Sequence, residues 1–62
     1  MIKFKVEYIG PTPYEFDTGE IAEAFELKKD PKKKWFVILD EDGEEYAYPR
    51  RWFKILEQTE IA

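Results

Sequence analysis

Residues 35–49, WFVILDEDGEEYAYP, leave the chain little choice but to reverse on itself. Trp35-Phe36-Val37-Ile38-Leu39 is an unbroken aromatic and β-branched run, the composition of a strand. Asp40-Glu41-Asp42-Gly43 is polar and ends in Asp-Gly, a pair that accepts positive φ at low cost and so turns the chain. Glu44-Glu45-Tyr46-Ala47-Tyr48 returns as the partner strand. Pro49 stops the ladder because it has no N–H to donate. A hairpin alone is not stable in water, so the remaining residues must supply more sheet.

The chain has little else to hold it together. Sixty-two residues make a single domain, and one this small buries only about 60% of the surface its unfolded chain exposes. There is no cysteine for a disulfide and no histidine. Stability therefore falls to the eleven aromatic residues, each able to bury roughly 150–250 Å². The charged start Met1-Ile2-Lys3-Phe4-Lys5 does not read as a signal peptide, and no window approaches the ~20 apolar residues of a membrane span. The expected molecule is a monomeric, cytoplasmic domain with no membrane association.

Along the chain, Phe4, Val6 and Tyr8 alternate with Lys3, Lys5 and Glu7, the period of a half-buried strand. Gly10-Pro11-Thr12-Pro13 ends it, and a long loop runs to Gly19 carrying Tyr14, Glu15, Phe16 and Asp17. Two aromatics in such a loop suit a segment that folds back onto the body. Residues 20–29, EIAEAFELKK, are ambiguous. Their composition favours helix, and Asp17 with Glu20 has the spacing of a capping box. Ile21, Phe25 and Leu27 are equally in phase for a strand, and the hairpin's need for sheet partners makes strand the expectation. The lysines of 28–34 then form a connector, Pro49-Arg50-Arg51-Trp52 a tight turn or one turn of 3₁₀-helix, and Phe53–Glu57 a closing strand. The domain is expected to span residues 1–57, with 58–62 as a frayed tail. Five short strands without room for two sheets are best served by a closed or nearly closed small barrel.

In this order the motifs resemble a Src-homology-3 (SH3-like) domain. Tyr8 ends the first strand, Glu15 and Asp17 stand in the long loop, Trp35 opens the third strand, Gly43 marks the distal hairpin, and Tyr48-Pro49 precedes the final turn and strand. The series Tyr8-Ile9-Gly10, Gly19, Asp40-x-x-Gly43-Glu44-x-Tyr46-x-Tyr48-Pro49-x-x-x-Phe53-x-Ile55 is similar to small stand-alone SH3-like barrel proteins of Firmicutes and their phages, which are mostly uncharacterised. The resemblance covers about residues 3–57. It implies a five-stranded all-β barrel with a long first loop and a short 3₁₀ turn before the last strand. It also implies a peptide groove lined by Tyr8, Trp35, Pro49 and Trp52, with Glu15 and Asp17 pairing with ligand arginines. Val6-Glu7-Tyr8-Ile9-Gly10 stands where Ala-Leu-Tyr-Asp-Tyr is usual, and Pro49-Arg50-Arg51-Trp52-Phe53 where Pro-Ser-Asn-Tyr-Val is usual.

Three binding classes follow from the residues. Trp35 and Trp52 beside Arg50 and Arg51, with Tyr14 nearby, have the composition of a protein-interaction surface. Each tryptophan is either such an anchor or a core residue. The five lysines of 28–34 with Arg50 and Arg51 offer a nucleic-acid or anionic-ligand face with Trp35 for stacking, although a net charge of −4 opposes general nucleic-acid binding. The acid-rich hairpin tip suits an acidic phage-type inhibitor. Catalysis is not expected, since without Ser, Cys or His no common acyl-transfer triad is available. No cofactor is expected. Asp40-x-Asp42 reads as a solvated turn and not as a metal site.

Overall fold

Five strands form where the alternation and the apolar runs place them. The computed structural model describes residues 2–40 and 42–60. The strands are β1 (Ile2–Tyr8), β2 (Ile21–Glu26), β3 (Trp35–Leu39), β4 (Glu45–Pro49) and β5 (Phe53–Glu60), with a 3₁₀ turn at Arg50–Trp52. All pairings are antiparallel, in the order β4-β3-β2-β1-β5. Among the described residues no ladder joins β4 to β5, so the sheet is open and not the closed form of a barrel.

It is nevertheless rolled. In a flat sheet the two edge strands would lie about 19 Å apart, at ~4.8 Å per strand. Here a three-residue turn joins them, and the rings of Tyr48 on β4 and Phe53 on β5 stand 6.3 Å apart. One core results, drawn from every strand: Phe4, Val6, Tyr8, Ala24, Phe36, Ile38, Tyr48 and Phe53.

The ambiguous segment is a strand, and its register shows why. Ala22 and Ala24 pair with Val6 and Phe4, and Ala24 is fully buried while Ile21 is largely exposed. The rings of Phe4 and Phe36, 5.2 Å apart, already fill the space above β2, so only a small side chain fits. The larger residues of the segment take the outer face. Asp17 and Glu20 do interact, but to close a β-turn: Glu20 N–H donates to the Asp17 carbonyl at 3.0 Å, Asp17 N–H donates to Glu20 Oε1 at 3.1 Å, and Gly19 between them has φ +85°. Only the Asp17 N–H to Glu20 side-chain bond is shared with a capping box; the Glu20 N–H bonds to the Asp17 backbone, and a strand follows.

At the hairpin tip Asp40 Oδ1 accepts from the N–H groups of Asp42 and Glu44, both at 2.9 Å, while Gly43 takes φ +81°. The Asp40 carboxylate is thus occupied by the turn itself, and no group of three or more metal-ligating side chains occurs among the described residues. The last strand is longer than the sequence reading placed it. Gln58, Thr59 and Glu60 pair with Phe4, Lys3 and Ile2, past a register shift that leaves Leu56 as a bulge. Of the expected tail only residues 61–62 lie outside the described residues. No helix is long and apolar enough to cross a membrane among the described residues.

Candidate functional site

Some of the residues expected to form a site lie at the 3₁₀ turn. Pro49 has no N–H for a further ladder bond, so the chain leaves the sheet and curls through Arg50–Trp52. Ile9 N–H donates to the Trp52 carbonyl at 2.8 Å, tying this turn to the start of the long loop. Trp52 is half-buried, edge-on to Tyr8 at 6.4 Å and to Tyr14 at 5.2 Å. Tyr14 keeps 49% of its surface exposed. The long loop therefore does fold back: Phe16 packs on Tyr8, Tyr48 and Phe53 at 5.1–5.6 Å, and Tyr14 rides above it at the surface. Trp35 is 41% exposed and lies directly across the β3–β4 ladder from Pro49. Its backbone N–H is held by Asp30 Oδ2 at 2.9 Å. Tyr14 thus packs on Trp52 at one end of the turn, and Trp35 stands across from Pro49 at the other.

Two expected site residues belong elsewhere. Tyr8 is 0% exposed, and its hydroxyl donates to the Pro11 carbonyl. Its ring is a wall of the core and offers nothing to a ligand; it supports Trp52 from beneath. Arg50 is half-buried, with its guanidinium 4.4 Å from the centroid of Phe36 and 5.1 Å from that of Phe4. Its backbone N–H donates to the Lys34 carbonyl at 2.8 Å. Arg50 covers an end of the core by cation–π stacking, which orients it inward, whereas Arg51 remains exposed.

The acidic partners also differ from expectation. Glu15 accepts a hydrogen bond from the Tyr48 hydroxyl at 2.6 Å. It lines a cleft with Glu20 and Asp40, walled by Phe16, Tyr46 and Tyr48. Asp17 is exposed in the adjoining turn and does not line that cleft. Glu20 and Asp40 are the residues that sequence reasoning missed. Positions 15, 20 and 40 share no spacing; only the rolling of the sheet brings them together.

This environment holds the tyrosines neutral. Burial, and then the bond to Glu15, pushes the Tyr48 phenol well above its ordinary value. Tyr46 is raised by its bond to Glu44 at 2.9 Å and then by the Asp40 charge. A raised phenol stabilises the fold fully below the unfolded value of about 10, and that contribution is lost as pH climbs through the folded value. The chain should therefore lose stability above pH ~10. Tyr48→Phe should cost about 0.5–1.5 kcal/mol near neutrality and flatten that alkaline decline. Urea melts of both proteins across the alkaline range check this; an unchanged alkaline slope in the variant would assign the decline to other groups.

No protein-family model matches the chain, and no curated protein or solved structure matches it.

Proposed function

We propose that this chain is a protein-interaction module of Src-homology-3-like type, with a binding and not a catalytic role. It docks an extended segment of a partner across Tyr14, Trp52, Pro49 and Trp35. The observation that carries the reading is the exposure of Tyr14 and Trp35, at 49% and 41%, beside half-buried Trp52. A chain that depends on aromatic burial for stability leaves these rings partly in water. Further support comes from the strand order, the long loop between β1 and β2 and the 3₁₀ turn before β5. A row of exposed aromatic rings suits an extended or polyproline-type segment, which loses little entropy on docking. Glu15 and Asp17, flanking Phe16 in the adjoining loop, favour a segment that carries an arginine.

The test is an NMR titration of labelled protein with extended arginine-containing peptides, with and without prolines. Saturable shifts are expected at both indole N–H groups and at the amides of residues 14–17. Trp52→Ala should weaken binding by about tenfold or more. A short single-stranded oligonucleotide serves as the competing arm. Salt-sensitive shifts confined to Lys28–Lys34 would replace this reading with anionic-ligand binding. Silence of the aromatic residues toward every peptide would overturn it.

A further inference from the structure

The β3 run is apolar on both faces, yet only one face has a core to enter. Phe36 and Ile38 point inward. On the outer face Val37 lies across from Phe25 on β2, and these two with Leu27 and Leu39 line a shallow apolar hollow. Leu27 and Leu39 remain 38% and 47% exposed. Trp35 and Pro49 lie farther along this same outer face, whereas Tyr14 and Trp52 do not line the hollow.

The charges around it are mostly sorted by end, with Glu26 and Asp30 the acidic residues at the basic end, where Glu26 pairs with Lys33 and Asp30 holds the Trp35 N–H. Seven of the ten basic residues fall at one end of β3, in the 28–34 loop and the neighbouring Arg50 and Arg51. At the other end stand Asp40, Asp42, Glu44 and Glu45, with Glu15 and Glu20 against Asp40, and no basic residue among them. Lys28 and Glu45 mark the two ends on the rim of the hollow itself. Among the described residues the only ion pairs are Lys3–Glu23 and Lys33–Glu26, so the acidic end has no cationic partner. The two ends cannot satisfy each other within one chain. The five residues of β3 separate them by about 17 Å, twice the ~8 Å Debye length at physiological salt.

We infer that the outer face of β2–β3–β4 docks a second copy of this chain, with the strands of the two copies antiparallel. A two-fold axis lying between the faces and crossing β3 near Val37 stacks the two hollows. It also sets the basic loop of each copy over the acidic turn of the other. The surface is then self-complementary, as a two-fold interface requires. A parallel stacking would oppose like charges. An ordinary interface takes about 800 Å² from each partner, roughly one-sixth of the 4848 Å² this chain exposes. Val37 is already buried at 8% exposure, so Phe25, Leu27 and Leu39 supply only part of that area, and the charged ends complete it and make the association salt-dependent.

Sedimentation equilibrium of the whole chain, without peptide, tests this. At about 0.5 mM protein and low salt, reversible dimer is expected with a dissociation constant on the order of 0.1–1 mM. Raising salt from about 0.05 to 0.5 M should weaken it by about tenfold or more. Leu39→Gln, at an exposed position, should abolish the dimer while leaving the fold intact by NMR. Lys29→Glu with Lys32→Glu in one protein, and Asp42→Lys with Glu45→Lys in another, should each abolish it; mixing the two should restore it as a heterodimer. A monomer at low salt overturns the inference. So does a dimer indifferent to Leu39→Gln, or a mixture of the charge variants that stays monomeric. The runs contain no peptide and Trp52 lies off this sheet face, so a dimer that persists in Trp52→Ala while peptide binding is lost separates the two readings.

Discussion

Phe36→Ala should remove between a third and all of the chain's stability at 25 °C. Phe36 is 0% exposed and touches rings on both sides, Phe4 at 5.2 Å and Phe53 at 6.1 Å, while Arg50 stacks on its face at 4.4 Å. Truncating a buried phenylalanine costs about 3–5 kcal/mol, the lost transfer energy plus the cavity left behind. Domains are stable by roughly 0.05–0.15 kcal/mol per residue, or about 3–9 kcal/mol for a chain this long. One substitution therefore removes a third of the stability at the least and all of it at the most. Arg50 loses its platform in the same step and is left half-buried beside a void. Far-UV circular dichroism with a urea melt measures the effect. A loss below about 1 kcal/mol would mean that neighbouring rings collapse into the gap and that Phe36 is not central to the core.

The second large effect is expected at Gly10, where stability and binding move together. A Cβ at this position would sit 2.8 Å from Trp52 Cγ, 2.9 Å from Trp52 Cβ and 2.9 Å from the Tyr8 hydroxyl oxygen. These atoms do not yield easily. The Trp52 contacts are at the root of its side chain, and the Tyr8 hydroxyl is held by the Pro11 carbonyl. Gly10→Ala must therefore push Trp52 outward or open the 9–52 backbone bond, at about 1–3 kcal/mol. Because Trp52 carries Tyr14 on its edge, the aromatic surface is displaced too. The variant should melt earlier and bind the peptide probes more weakly, with altered indole shifts for Trp52 and a smaller change at Trp35. Wild-type stability in Gly10→Ala would show that the loop has room to move aside. Gly19 and Gly43 make a useful contrast: nothing lies within 4 Å of a Cβ there, and their importance rests on positive φ alone.

Sequence and tertiary structure divide the protein along physical lines. Everything governed by short range was legible in the chain. The period of two over 3–8, the apolar run 35–39, the Asp-Gly turn and the ladder stop at Pro49 all act through bonds between near neighbours, and the corresponding strands and turns are present. The strand at 21–26 was legible only through a non-local argument, the need for more sheet, because its local propensity points to helix. The Asp17–Glu20 spacing suggests a helix cap, but the two residues close a β-turn that leads into a strand.

What the rolled sheet decided could not be read from spacing. Tyr8 and Trp52 look alike as aromatic site candidates in the sequence, yet one is fully buried and the other half-exposed, because the loop of 9–20 closes over Tyr8. Arg50 and Arg51 are neighbours of the same charge, yet the 3₁₀ turn aims one at Phe36 and the other at water. Glu15, Glu20 and Asp40 share a cleft although up to 25 positions separate them. The strand at 58–60 forms because β1 offers Ile2, Lys3 and Phe4 as partners, not because of its own composition. Local chemistry sets which segments extend and where they turn. Which side chains meet depends on the curl of the sheet, and that is set by how large rings and small alanines pack into one core.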